Sequence, residues 1–119
     1  MINQNIGLYG EKKAAEYLIN NGYEVLHRNF NFNRKEIDII AQKDQFLIAV
    51  EVKTRSQNTI IEPWQAVNKR KQQNIIEAMN AYVKTNQKNL SVRFDVVSII
   101  IKEDKCVYNH IKDAFYPTF

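Results

Sequence analysis

The chain has one cysteine, Cys106, in 119 residues. That excludes an intrachain disulfide framework and a multi-thiolate zinc site. A reducing compartment suits such a chain, and a cytoplasmic location is expected. The only histidines, His27 and His110, do not stand at a metal-ligand spacing, and structural or surface roles are expected for both. Three glycines and two prolines leave no collagen-like or linker-like tract, and no repeat or low-complexity segment is visible. No apolar run approaches ~18 residues, and no basic start leads into an apolar stretch with a small-residue cleavage site. The expectation is a soluble, unprocessed protein with no membrane span.

What is present is an ordinary globular balance, 45% hydrophobic and 25% charged, in a length that fits one domain over residues 1–119. The formal charge is +4, with a pI of about 9.2. Lysine and arginine near phosphates release counterions, so a basic chain modestly favours a polyanionic partner. Arg34, Lys35, Lys53 and Arg55 flank one apolar stretch, and Lys69, Arg70 and Lys71 follow further on.

Residues 5–20 have helical spacing of Leu8, Ala15, Leu18 and Ile19, and the helix is stopped by Asn21-Gly22. "YEVLHRNF" reads as a strand, with a turn over Asn31 to Arg34. "EIDIIAQKDQFLIAVEVKTR", residues 36–55, supplies two more strands that turn at Gln42 to Gln45. After the loop "SQNTIIE", Pro63 suits a first helical position, and a long helix is expected over 63–85. The strand "VRFDVVSIII", a turn at Glu103 to Lys105 and a short strand near "CVYNHI" complete the chain, with one helical turn expected in "KDAFYPTF". The predicted fold class is α/β, a central mixed sheet flanked by helices, in the order helix, three strands, helix, two strands.

The stretch 36–55 carries four charges inside two strands. Side chains alternate along a strand, so Glu36 and Asp38 share one face, as do Glu51, Lys53 and Arg55 on the next. A two-residue loop at Lys43-Asp44 sets Asp38 opposite Ala49 and Glu36 opposite Glu51, with all four charges on one face. Asp38 and Glu51 are then diagonal neighbours within about 7–8 Å. A wet sheet face would also alternate Glu and Lys, but Asp fits poorly within "IDII", and opposed Glu36 and Glu51 would repel. Glu11 interrupts a helical stripe of Leu8, Ala15 and Leu18. Lys71 interrupts a second one of Trp64, Val67, Ile75, Ala78 and Tyr82. If both helices pack through these stripes, a carboxylate and an ammonium reach the charged strand face.

Carboxylates without histidine or thiolate form a hard oxygen site that favours Mg²⁺ or Mn²⁺. Beside a lysine and basic surroundings, such a site suits phosphodiester hydrolysis.

Asp38, twelve intervening residues and then Glu51-Val52-Lys53 resemble the PD-(D/E)XK motif of restriction-endonuclease-like nucleases. "GEKKAAEYLINNGYEVLHRNF", "EIDII", "VEVKTR", the helix around Lys71, "RFDVV" and "HIKDAF" together resemble the YraN-like family of small bacterial proteins, over nearly the whole chain. The resemblance implies a restriction-endonuclease-like fold similar to archaeal Holliday-junction resolvases. It implies metal-dependent hydrolysis of DNA, with branched DNA among the candidate substrates and a homodimer among the candidate assemblies. It makes Asp38 and Glu51 metal ligands, helped by the Val52 carbonyl, and Lys53 the catalytic lysine. Glu11 would act on the metal directly or through water. Glu36 and Lys71 are accessory candidates, and Arg34, Lys35, Arg55, Lys69 and Arg70 are candidate DNA contacts. Ile37 replaces the motif's proline, and Lys35 stands where relatives usually have glycine, which reduces backbone freedom at that turn. The alternative is a non-catalytic nucleic-acid-binding module that retains the fold. Asp95, with Arg93 nearby, is expected to be structural; Trp64, Phe115, Tyr116 and Phe119 to be packing; and Cys106 to be an apolar filler.

Overall fold

A computed structural model describes residues 6–56, 67–86 and 89–117. Helix α1 (Ile6–Asn20) leads into strands β1 (Glu24–Phe32), β2 (Lys35–Lys43) and β3 (Phe46–Ser56). Helix α2 (Lys69–Asn86) crosses over to β4 (Ser91–Lys102), and β5 (Lys105–Phe115) ends the order. The five strands form one sheet in sequence order, β1-β2-β3-β4-β5. Only β3 and β4 pair in parallel, as strands joined through a helix can; the hairpin-linked neighbours are antiparallel. This is the expected α/β class in the expected order.

Alternation along the strands separates two cores. Leu47, Ala49, Phe94 and Val96 pack with Ile75, Ala78, Met79 and Tyr82 of α2. Ile48, Val50, Val97 and Ile99 pack with Ala14, Ala15 and Leu18 of α1. The helices therefore cover opposite faces of the sheet.

Helix α1 closes as Asn21-Gly22 foretells. Gly22 is left-handed (φ 87°), Gly22 N–H donates to the Ile19 carbonyl, and Tyr23 N–H donates to the Leu18 carbonyl. These are the two bonds of a Schellman closure, with buried Leu18 and Tyr23 as its apolar contact. The buried stripe of α1 is Gly10, Ala14, Ala15 and Leu18 rather than the expected one, because Leu8 and Ile19 are exposed.

Four expectations give way. The β2–β3 turn lies at Asp44-Gln45, not Lys43-Asp44, with Asp44 left-handed (φ 54°) and Lys43 opposite Phe46. The register thus moves by two residues: Ile40, not Asp38, lies opposite Ala49. An even shift preserves the facing of Ile40 and Ala49, but alternation breaks at Asp38, since Ile37 joins Ile40 in the α2 core while Ile39 lies in the α1 core. Helix α2 begins at Lys69, because Asn68 caps it: Asn68 Oδ1 accepts the Lys71 N–H at 2.8 Å and its carbonyl accepts Gln72 N–H. Pro63, Trp64 and most of the preceding loop lie outside the described residues, as do Asn5 and Phe119. In the β1–β2 turn the left-handed residues are Asn33 and Arg34 (φ 50° and 64°), as a two-residue type I′ hairpin requires, and Lys35 already belongs to β2.

The fourth concerns the C-terminus, where β5 runs on to Phe115 in place of a helical turn. Buried Asp95 accounts for it. It takes both arms of Arg93 at 2.9 Å, His110 Nε2 at 2.7 Å and the Asp113 N–H at 3.0 Å. Burial alone would raise its pKa, but the His110 and Arg93 hydrogen bonds outweigh that and hold it below the usual range. The ladder shifts register between Phe94 and Val96, where β5 bulges around left-handed Asp113.

Gly10 sets how closely α1 approaches the sheet, since a Cβ there would overlap the Thr54 side chain on β3. Gly10→Ala should lower stability by about 1–3 kcal/mol in denaturant unfolding, and Thr54→Ala in the same chain should recover part of the loss.

Candidate functional site

The β2–β3 ladder ends at Ile39 opposite Val50, although both strands continue. On its other side β2 pairs with β1 through Arg28–Ile39 and Phe30–Ile37. The intervening pair, Asn29 with Asp38, is missing, and Asn29 is left-handed (φ 57°). Sheet pairing is thus interrupted on both sides of Asp38. The carboxylate fills one gap itself: its Oδ2 accepts the Val52 N–H at 2.8 Å.

Three carboxylates meet at this opening. Glu51 is nearly inaccessible, its side chain 3% exposed, and its Oε2 lies 3.3 Å from both Lys53 Nζ and Lys71 Nζ. Its Oε1 is buried without a hydrogen-bond partner. Glu11 arrives from α1, on the opposite face, because close packing at Gly10 brings that turn of the helix against β3. Asn29 faces Glu11 and lowers its pKa, yet the Glu11 Oε1 is also buried and unpartnered.

The electrostatics follow from that crowding. Burial, then the charge of Glu51, then that of Glu11 push Asp38 up to about 8, against the opposing Val52 hydrogen bond. Glu11 is raised by burial and by Glu36, and lowered by Arg28 and Asn29. Without a cation, the site keeps a proton on Asp38 at neutral pH and borrows two ammonium groups for Glu51.

Glu11, Asp38, Glu51, Lys53 and Lys71 come together. Glu36 stands apart from Glu51: it is exposed and acts on Glu11 instead, because the shifted register removes the expected opposition. Of the expected DNA contacts, Arg34, Lys69 and Arg70 are exposed, Lys35 pairs with Glu77 at 3.4 Å, and Arg55 donates to the Thr54 carbonyl. Lys69, Arg70 and Lys71 form the first turn of α2, which has no acidic residue. Cations there oppose the helix dipole, and together they make a concentrated positive field.

Two members had no earlier assignment. Asn29 breaks the ladder and faces Glu11; an asparagine within a β-prone run, opposite a strand aspartate, is its only signal. Ser98 lies beside Lys53 in the parallel ladder, 1% exposed, with its hydroxyl unpartnered. No local signal points to Ser98, since its neighbour is set by a register across the α2 crossover.

Among the described residues, no three acidic, histidine or cysteine side chains are gathered tightly enough to hold a metal ion as they stand. The donors at hand are two carboxylates, Asp38 and Glu51, with Glu11 next to them. The orphaned oxygens of Glu51 and Glu11 and the proton forced onto Asp38 are what a hard cation would relieve. A small number of protein ligands suits Mg²⁺, which retains several waters.

Because the folded Asp38 binds its proton more tightly than an unfolded aspartate, the contribution of Asp38 to stability is greatest at acid pH. It should fall as pH rises from about 4 to about 8. Asp38→Asn should remove that slope. In metal-free buffer it should exceed the wild type by on the order of 3 kcal/mol near pH 9 and differ little near pH 5, as read by thermal or denaturant unfolding.

Comparison with known proteins follows the same stretch of chain. The model of the uncharacterised protein family UPF0102 matches residues 10–99, which include Glu11, Asp38, Glu51, Lys53 and Lys71. A UPF0102 protein of Parabacteroides distasonis is 46% identical over 98% of this chain and 97% of its own. Those of Syntrophomonas wolfei and Clostridium perfringens are each 40% identical, over 96% and 95% of this chain and 100% and 95% of theirs. Matched along almost its whole length, the chain belongs to the UPF0102 family.

Proposed function

We propose that the protein is a Mg²⁺- or Mn²⁺-dependent endonuclease acting on DNA, with branched, Holliday-junction-like DNA among its substrates. One observation carries this reading: Asp38, Glu51 and Glu11 crowd one opening of the sheet, with two carboxylate oxygens unpartnered and two lysines standing in as counterions. A purely structural cluster would satisfy those oxygens or dispense with the charges.

Asp38 and Glu51 would hold the cation, with the Val52 carbonyl beside them and Glu11 bonding its water. When bound, the ion would supply Lewis acidity and a water activated at neutral pH. Lys53 shares the strand with Glu51 and is 18% exposed, so it is partly shielded from water. The Lys53 ammonium, now paired with Glu51, would be the group to hydrogen-bond the charge that develops on a phosphate oxygen. Lys71, 44% exposed, stands between the carboxylates and the basic first turn of α2. There, with Arg34, Lys35, Arg55, Lys69 and Arg70, it would hold the DNA backbone.

Linear, flapped and four-way DNA, incubated with Mg²⁺ or Mn²⁺, should be cut by the wild type. Cutting should be about 10²-fold slower or worse with Asp38→Asn and with Lys53→Ala. No metal-dependent cleavage of any of the three, or equal cleavage by the variants, would sink the reading.

Calorimetric titration with Mn²⁺ examines the carboxylates alone. Binding should disappear in Asp38→Asn. In the wild type it should strengthen about tenfold per pH unit up to about 8 and level off above, because the Asp38 proton must leave. Salt-sensitive DNA binding without carboxylate-dependent Mn²⁺ uptake would identify a non-catalytic nucleic-acid-binding module instead.

A further inference from the structure

The tip of the β1–β2 hairpin ends in an unusual sequence for an edge strand: Arg28, then Asn29-Phe30-Asn31-Phe32-Asn33, then Arg34 and Lys35. Phe30 and Phe32 share a face. Phe30 is buried in part, edge-on to Tyr82 of α2 at 5.2 Å and to His27 at 5.5 Å. Phe32, one step further out, is 39% exposed and has no ring partner among the described residues. The type I′ turn follows directly beyond it.

Phe32 forms one wall of a shallow cavity of about 270 Å³, whose other lining residues are Glu77, Asn80, Ala81, Lys84 and Thr85 of α2. The Thr85 hydroxyl is turned back onto the Tyr82 and Ala81 carbonyls, so it does not add a polar group to the groove. Glu77 is answered by Lys35 at 3.4 Å, which removes its repulsion of an anion. What remains is an aromatic face and an alanine floor, with an asparagine amide that donates and accepts and an exposed lysine at the rim. Along α2, the lining residues lie roughly 9 to 21 Å from Lys71, a span of a few nucleotides from the carboxylates.

We infer that this groove receives an unpaired nucleobase of the DNA strand held at the carboxylate site. The base would stack on Phe32 with its edge toward Asn80, while Lys84 and Arg34 take the backbone. An aromatic platform inside a positively charged surface is the chemistry by which single-stranded nucleic acid is held without sequence reading. An apolar side chain of a protein partner would use Phe32 and Ala81 but has no need of the cationic rim. A fully paired duplex offers no free base face. The groove would therefore favour DNA with an unpaired position, such as a bulge, flap or junction. This rests on DNA being the ligand of the proposed nuclease site, and not on its being cut.

The test uses the full chain with EDTA, so that no cleavage occurs, and oligonucleotides carrying 2-aminopurine either in a single-base bulge or fully paired. The wild type should bind the bulged DNA more tightly and change the probe's fluorescence only there. Phe32→Ala should weaken binding of the bulged DNA about tenfold and abolish that change, while affinity for the paired duplex stays within about twofold. Phe32→Tyr should retain both. Equal losses on the two DNAs, no loss on the bulge, or no binding of either DNA would overturn the inference. Absence of metal-dependent cleavage in the separate assay would overturn hydrolysis and leave this outcome readable.

Discussion

The site depends on a single replacement in the hydrogen-bonding of the sheet: a side-chain oxygen of Asp38 accepts the Val52 N–H. The β2–β3 ladder stops one residue short of Asp38, and its pairing with Asn29 on the other side is also missing. A regular strand has no room between its neighbours for a ligand. Interrupting the pairing leaves backbone donors without ladder partners, which is costly when they are buried. Asp38 resolves this by being both the residue at the gap and the acceptor for the Val52 donor. Beside it stand the buried, unpartnered oxygens of Glu51 and of Glu11, which approaches from the opposite face.

Much of this was legible because strand facing has a period of two. The two-residue error in register moved the turn to Asp44-Gln45 yet kept Asp38, Glu51 and Lys53 on their expected sides. It did not preserve Glu36, because alternation breaks at Asp38, where Ile37 and Ile40 enter one core and Ile39 the other, and Glu36 acts on Glu11 instead. Helix α1 was readable from Gly22, where only one residue type suits the backbone, while its buried stripe was misread, since exposed Leu8 and Ile19 match the same spacing. The start of α2 was misplaced because a proline permits a helix start without requiring one, whereas the Asn68 side chain bonds it. The C-terminal strand was hidden for a different reason. Its extension depends on Asp95, eighteen residues earlier, drawing in His110 and the Asp113 N–H. Long-range pairings of this kind, like that of Ser98 with Lys53, leave no local pattern.

Asp95 offers an internal comparison with Asp38. Both are aspartates set within strands of the same sheet, and burial opposes the charge of both. Asp95 is surrounded by donors and is held below the usual range; Asp38 has one donor and two carboxylate neighbours, and is held far above it. The fold is therefore able to stabilise a buried carboxylate with a guanidinium, an imidazole and a backbone N–H. That it does so for Asp95 and not for Asp38 sets a carboxylate that binds the fold together apart from one left at a cost to the fold.

The same contrast extends to the cations. Arg93 spends both arms on Asp95, a fixed bidentate pairing suited to structure. Around Glu51 the partners are lysines, each a single flexible contact at 3.3 Å, and one of them is almost half exposed. Lysines release and re-form such contacts more easily than a guanidinium fork. Lys71 also sits with Lys69 and Arg70 at the positive end of α2, where helix stability alone would favour acidic residues. An unpaired carboxylate oxygen, exchangeable counterions and cations placed against a helix dipole each carry a cost to folding. Their placement at one opening of the sheet is hard to attribute to packing, and a bound divalent cation with a polyanion would offset all three costs together.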